Sequence, residues 1–153
     1  MSAYEIIDYN DRYKDVFKEL NAEWLYKYNL MESHDLEILD NPKKYILDTG
    51  GVIYLVKLDD RIVGSAALIK EHDNIYELAK MAVAKDHQGK GLSRLLIEKC
   101  LFMAKQLNAG KIILFSNSQL TTAISLYEKY GFKHVPVEDS PFLTADVKME
   151  LVW

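Results

Sequence analysis

Apolar and polar residues follow two different periods along the chain, and these periods divide it into helices and strands. Apolar positions three and four residues apart predict a helix from Tyr13 to Tyr28, and the same spacing predicts another over 91–107. Short runs of aliphatic and aromatic residues predict strands, the last of which alternates from Val147 to Trp153. The predicted strands cover 3–9, 52–58, 61–69, 75–84, 111–116, 132–135 and 147–153.

Glycine and proline positions predict two further helices. A short one is expected after Asn41, with Pro42 in its first turn, and another over 123–130 that ends before Gly131. The predicted order is strand, helices, three strands, helix, strand, helix and two strands. This order is typical of a mixed α/β sheet with helices on its faces.

Composition narrows the class of protein. The chain has 153 residues, 49% of them hydrophobic, which suits one domain with one sizeable core. Its single cysteine excludes an internal disulfide, and a net charge of −4 argues against binding to nucleic acid or an anionic membrane. The four histidines lack metal-ligand spacing, so no metal is expected. An acidic N-terminal segment is unlike a signal peptide, which favours a cytoplasmic protein.

A strand, a glycine-containing turn and a helix follow one another at 75–107, and this succession can bind a phosphate. The first N–H groups of a helix have no partner within it, and glycine allows the preceding backbone to fold around an anion. We therefore predict a phosphate or pyrophosphate site at the turn Gln88–Arg94. The alternative is that the turn only connects the strand to the helix. No GxxxxGK[ST] P-loop is present. The GxGxxG motif is incomplete, because Arg94 occupies its last position.

Two motifs in these elements resemble the GNAT superfamily of acyl-CoA-dependent N-acyltransferases. In QGKGLS, Gln88, Gly91 and Ser93 occupy the three fixed positions of Q/R-x-x-G-x-G/A, with serine replacing glycine or alanine. The second motif, A-x-x-LYxKxGF, is matched by Ala123, Leu126, Tyr127, Lys129, Gly131 and Phe132. The resemblance covers essentially the whole chain. It implies one domain over 1–153, with a mixed, mostly antiparallel central sheet of about seven strands flanked by about four helices.

The resemblance also implies that acetyl-CoA binds in a cleft beside the strand that ends at Val83. Its pantetheine arm would pair with the backbone of that strand, and its pyrophosphate would lie on the turn. Lys90 and Arg94 would add positive charge there, unless they are ordinary solvated residues. The residues implied to bind the cofactor are Met81, Ala82, Val83, Gln88, Gly89, Lys90, Gly91, Leu92, Ser93, Arg94, Asn117 and Tyr127.

Two residues are implied to carry the chemistry of acetyl transfer to an amine. Tyr127 matches the family's general acid, which protonates the leaving thiolate; the alternative is that it only packs in the core. Glu77 lies where some members place a general base; the alternative is a cross-strand ion pair with Lys80 or Lys70. A base is useful because an amine of pKa ~10.4 is neutral about once in 2,500 molecules at pH 7.

The sequence does not identify the amine that accepts the acetyl group. Glu32, Glu138 and Asp139 lie in segments that often line the acceptor pocket of the family, and they would suit a cationic or peptidic amine unless they are merely solvated. The resemblance implies that the domain can form a homodimer. Two other functions are considered: a non-catalytic acyl-CoA-binding regulatory module, and a nucleotide-binding regulatory domain that uses the same glycine turn.

Overall fold

The computed structural model describes residues 3–138 and 140–153, and it confirms the predicted fold class. Within these residues, short helical turns at 11–13, 43–47 and 85–87 supplement four α-helices and seven strands. The regular elements are β1 (Tyr4–Asp8), α1 (Lys14–Lys27), α2 (Ser33–Asp40), β2 (Val52–Leu58), β3 (Arg61–His72), β4 (Ile75–Val83), α3 (Leu92–Gln106), β5 (Lys111–Ser116), α4 (Thr121–Lys129), β6 (Lys133–Val135) and β7 (Val147–Val152).

The seven strands form one sheet in the order β1-β2-β3-β4-β5-β7-β6. Every neighbouring pair is antiparallel except β4 and β5, which are parallel. The sheet is therefore mixed and mostly antiparallel, as expected. None of the described helices is long and apolar enough to cross a membrane.

Helices cover both faces of the sheet, and an apolar core lies under each pair. Leu96 of α3 packs with Leu78 of β4 on one face, where α4 also lies. On the other face, Phe17 of α1 and Ile38 of α2 pack with Leu55 of β2. Because successive side chains of a strand point to opposite faces, β1, β2 and β3 each contribute residues to both cores.

Helix α2 is the main element that the sequence pattern missed. A short helix was expected after Asn41, but that segment holds only one helical turn at 43–47, and the regular helix precedes it at Ser33–Asp40. It starts with a reciprocal capping box between Glu32 and Asp35. Glutamate is an unusual N-cap residue, so the pattern did not mark a helix start there.

A β-bulge in β4 changes the direction of its side chains. Ser65 and Ala67 of β3 face Ala82 and Ala79, so β4 carries one residue more than its partner, and Lys80 takes a left-handed φ of 52°. The bulge places the side chain of Lys80 on the α1/α2 face rather than on the α3 face.

Two buried polar side chains support this bulge. The Ser65 hydroxyl donates to the Lys80 carbonyl oxygen at 2.8 Å, and the Asn21 amide of α1 donates to the Ser65 hydroxyl at 3.1 Å. Both Ser65 and Asn21 are fully buried. The carbonyl group that the irregular backbone leaves without a strand partner is thus satisfied by a side chain, as a buried polar group requires.

Replacement of Ser65 by alanine should destabilise the protein. The Lys80 carbonyl oxygen would lose its donor in a buried place, so the free energy of unfolding should fall by about 1–3 kcal/mol. Urea denaturation measures this, with the exposed Ser125→Ala on α4 as the control, which should change stability by less than ~0.5 kcal/mol. An unchanged stability in Ser65→Ala would show that the bulge does not depend on this hydrogen bond.

Candidate active site

Strands β4 and β5 separate soon after they begin, and a cleft opens between them. The two strands pair only at Ile75–Glu77 with 111–113. The edge of β4 that faces β5 therefore has no strand partner from Ala79 to Val83 within the described residues, while the opposite edge stays paired with β3. A cavity of about 800 Å³ follows this edge from the start of α3 to the loop before β7. An unpaired strand edge of this kind can hydrogen-bond an extended ligand as an added strand would.

One end of the cavity is formed by the glycine turn and the start of α3. Gly89 and Gly91 have φ values of 77° and 79°, which favour glycine, and a Cβ at either position would meet no other atom within 4 Å. Gly91 is the N-cap residue of α3, and no side chain caps the helix. The first N–H groups of α3 are therefore available to an anion, and the helix dipole favours one there.

The cavity brings together all but one of the residues predicted for the site. Lys90 is exposed and does not line the cavity, whereas Arg94 does. The predicted residues that line it are Glu77, Met81, Ala82, Val83, Gln88, Gly89, Gly91, Leu92, Ser93, Arg94, Asn117 and Tyr127. Their contacts with a cofactor stay predictions.

Tyr127 of α4 lines the middle of the cavity. Its ring packs edge-on against Phe132 at 5.9 Å between centroids, and its hydroxyl has no hydrogen-bond partner among the described residues. Desolvation raises the pKa of Tyr127 to about 12, above the ordinary phenol value of about 10. The phenol therefore keeps its proton at neutral pH, and it is a weaker acid than an exposed tyrosine.

Glu77 lies on the α1/α2 face of β4, where it is 5% exposed. Burial raises the pKa of Glu77 to about 8, and the neighbouring Glu71 carboxylate adds to this effect. The cross-strand ion pair considered as an alternative is absent from the described residues, because Lys80 pairs with Asp35 instead. Glu77 is therefore largely protonated at pH 7 and can accept a proton once it ionises.

The pair of Lys80 and Asp35 is a feature of the cavity that sequence reasoning missed. Lys80 Nζ lies 2.5 Å from Asp35 Oδ1, and the two side chains are 5% and 4% exposed. The pair joins the bulge of β4 to the first turn of α2, and both residues line the cavity. A lysine among the apolar residues of 78–84 was the only signal of it in the sequence.

The loop before β7 is held against this end of the cavity by Glu32. The Glu32 carboxylate accepts hydrogen bonds from the backbone N–H groups of Leu143 and Thr144, both at 2.9 Å, and from the Thr144 hydroxyl at 2.5 Å. Burial alone would raise the pKa of Glu32, but these hydrogen bonds outweigh burial and lower it. The expectation that Glu32 attracts a cationic acceptor is thus corrected: its carboxylate is occupied by the loop.

Asn117 also takes part in holding this loop. Its amide donates to the Thr144 carbonyl oxygen at 2.8 Å and accepts from the Gln119 N–H at 3.0 Å. These contacts position the turn before α4 and leave one amide N–H for a ligand. Of the two other acidic residues proposed for the acceptor, Glu138 is exposed and Asp139 lies outside the described residues.

Comparison with known proteins identifies relatives of the chain. Residues 13–132 match the sequence profile of the acetyltransferase (GNAT) family. The N-acetylaspartate synthetase of Xenopus tropicalis is 33% identical over 102 residues, which are 66% of this chain and 38% of that protein. The uncharacterized N-acetyltransferase YvbK of Bacillus subtilis is 30% identical over 115 residues, 73% of this chain and 74% of that protein. The chain thus spans little more than a third of the synthetase.

Solved structures agree with this assignment. A GNAT-family acetyltransferase of Staphylococcus aureus superimposes with a TM-score of 0.90 at 25% identity, covering 98% of this chain and 99% of that one. The PaiA N-acetyltransferase of Thermoplasma acidophilum, solved in complex with coenzyme A, shares the fold with a TM-score of 0.79 at 16% identity over 99% of both chains. From its sequence, its sheet and these relatives, the chain belongs to the GNAT acetyltransferase family.

Proposed function

We propose that this protein transfers the acetyl group of acetyl-CoA to an amine. The observation that carries the proposal is the cleft between β4 and β5, in which an unpaired strand edge, the start of α3 and Tyr127 share one cavity. An extended pantetheine arm fits the edge at Met81–Val83, and a pyrophosphate fits the N–H groups of the glycine turn. Similar proteins are named N-acetyltransferases and N-acetylaspartate synthetases, which supports N-acetylation.

The proposed reaction is a direct attack of the amine on the thioester carbonyl. The new C–N bond forms as the C–S bond breaks, and N–H groups near Val83 stabilise the negative charge on the carbonyl oxygen. Tyr127 gives its hydroxyl proton to the departing thiolate. Because the pKa of Tyr127 is about 12 and that of a free thiol is about 8.5, proton transfer to a thiolate that has already left is unfavourable, and we expect transfer to accompany cleavage rather than follow it.

Glu77 is proposed to receive the proton that the amine loses. Its raised pKa brings it closer to the amine than an ordinary carboxylate would be, so the proton transfer is less unfavourable. The same burial leaves roughly a tenth of Glu77 ionised at pH 7, given a pKa of about 8. A cytoplasmic location, homodimerisation and the absence of a metal stay predictions.

An assay of thiol release from acetyl-CoA with a broad panel of amines tests the proposed function. Release that depends on both substrates, with an N-acetylated product identified by mass spectrometry, is the expected result. Binding of coenzyme A without turnover of any amine would instead indicate the non-catalytic module. Tight binding of ATP without binding of coenzyme A would indicate the nucleotide-binding domain.

Arg94 and Lys90 should differ in their effect on coenzyme A affinity. Both are exposed cations on the same turn, but only Arg94 lines the cavity, so Arg94→Ala should weaken binding by roughly tenfold or more. Lys90→Ala removes the same charge. Because Lys90 can act on the phosphates only through solvent, where salt screens it, this variant should change the Kd by less than about threefold. Calorimetric titration measures both, and equal losses would place the phosphates elsewhere.

Tyr127→Phe removes only the hydroxyl and keeps the ring against Phe132. The turnover number should therefore fall by roughly 10–10³-fold, the scale of general-acid catalysis, with little change in coenzyme A affinity. Turnover at saturating acetyl-CoA and the Kd of the same variant are the measurements. Normal turnover would remove Tyr127 from the mechanism, and lost binding would make it a packing residue.

Glu77→Gln should change how the rate depends on pH. In the native enzyme the rate should rise through about pH 8 as Glu77 ionises, because only the carboxylate accepts a proton. The variant should be slower by roughly 10²–10³-fold at pH 7 and should recover toward pH ~10, where the amine deprotonates unaided. A native-like rate and profile in Glu77→Gln would show that water or another group takes the proton.

A further inference from the structure

Hydrogen-bond donors are in surplus at the end of the cavity where α1, α2 and the loop before β7 meet. The Lys80 ammonium has three N–H groups, and its one hydrogen bond within the described residues goes to Asp35 at 2.5 Å. With only 5% of its side chain exposed, Lys80 has little access to bulk water. Its remaining N–H groups have no protein acceptor in the described part of the chain, and Lys80 is one of the residues that line the cavity.

A second donor belongs to another residue that lines the same cavity. The indole Nε1 of Trp24 is buried and has no hydrogen-bond partner within the described residues, and Trp24 lines the cavity from α1. Buried donors in native proteins are nearly always paired, with protein, water or ligand. Two unsatisfied donors from different elements therefore point to a ligand that supplies acceptor oxygens.

The carboxyl groups in this region are poor partners for a cationic acceptor. Asp35 accepts from Lys80 at Oδ1 and from the Glu32 backbone N–H at Oδ2, 3.0 Å away. Burial raises the pKa of Glu77, which disfavours its charged form, and the Glu32 carboxylate is occupied by the loop. A second amino group, as in a polyamine, would meet the Lys80 ammonium and find no unoccupied carboxylate among the described residues that line the cavity.

We propose that the amine acceptor is an amino acid, whose carboxylate accepts hydrogen bonds from Lys80 Nζ while the indole N–H of Trp24 donates to an oxygen of the same molecule. The inference rests on the proposed acetyl transfer and adds the substrate class. Asp35 then acts as a positioning residue: it holds the ammonium, and its own position is fixed by the capping box of α2. Phe142 lies 5.2 Å from Lys80 Nζ and helps to enclose the ammonium.

Comparison of amino acids with their α-amides tests the proposal. The panel consists of the common amino acids, the α-amides of those that are acetylated, and spermidine, each assayed for thiol release from acetyl-CoA. Amidation removes the carboxylate charge but also lowers the pKa of the amine, which by itself would make the amide more reactive. If the carboxylate is recognised, kcat/KM should fall by about 100-fold or more on amidation, despite the more reactive amine of the amide. Such a fall therefore reports recognition of the carboxylate.

A paired substitution assigns the recognition to Lys80. Lys80→Met combined with Asp35→Asn removes both charges together, because removal of one would leave the other buried and unpaired. The ratio of kcat/KM for acid over amide should collapse to within about threefold. The matched control is Lys18→Met with Asp40→Asn, an exposed pair with the same 2.5 Å separation outside the cavity, which should keep the native ratio.

The outcomes separate this inference from the proposed function. Acetylation of spermidine or of the α-amides as fast as the amino acids would overturn the inference and leave acetyl transfer standing. Coenzyme A binding without turnover of any amine would overturn both. If the paired variant does not fold, the acid-to-amide ratio of the native enzyme still decides, and Trp24→Phe should lower kcat/KM for the amino acid by roughly tenfold.

Discussion

One local irregularity, the bulge at Lys80 in a buried strand, shapes the wall of the cleft. An extra residue in β4 requires a left-handed backbone and leaves a carbonyl group without a strand partner, and Ser65 and Asn21 satisfy that group from β3 and α1. Beyond the three residues paired with β5, the strand continues with one free edge. The backbone groups proposed to bind the cofactor are available because β4 and β5 pair over only three residues.

The same bulge places charge in the interior. It turns the Lys80 ammonium toward the face that holds Asp35 and Glu77, so three ionisable groups lie within one small region. Taking charges out of water is costly, and a buried pair is a poor source of stability. The arrangement suits the proposed chemistry: Glu77 can take a proton once it ionises, and the fixed Lys80 ammonium has N–H groups to spare.

The end of the cavity that is proposed to bind the amine acceptor, here called the acceptor end, is assembled from segments far apart in the chain. Glu32 starts α2 and also holds the backbone of Leu143 and Thr144, while Asn117 binds the same loop from the end of β5. The capping contact that positions Asp35 is thereby linked to the loop that carries Phe142. Such pre-organisation is what a site needs if it is to orient a small amine near a thioester.

The sequence by itself determined the fold class, the strands and the helices other than α2, and it predicted a phosphate site at one end of the cavity, because strand, glycine turn and helix at 75–106 are adjacent in the chain and their geometry is local. It could not determine the acceptor end. Whether Glu77 ionises, whether Glu32 is free and where Lys80 points depend on contacts with residues tens of positions away, such as Lys80 with Asp35. Burial and pairing of charges are properties of the packed chain, so only the tertiary structure decided them.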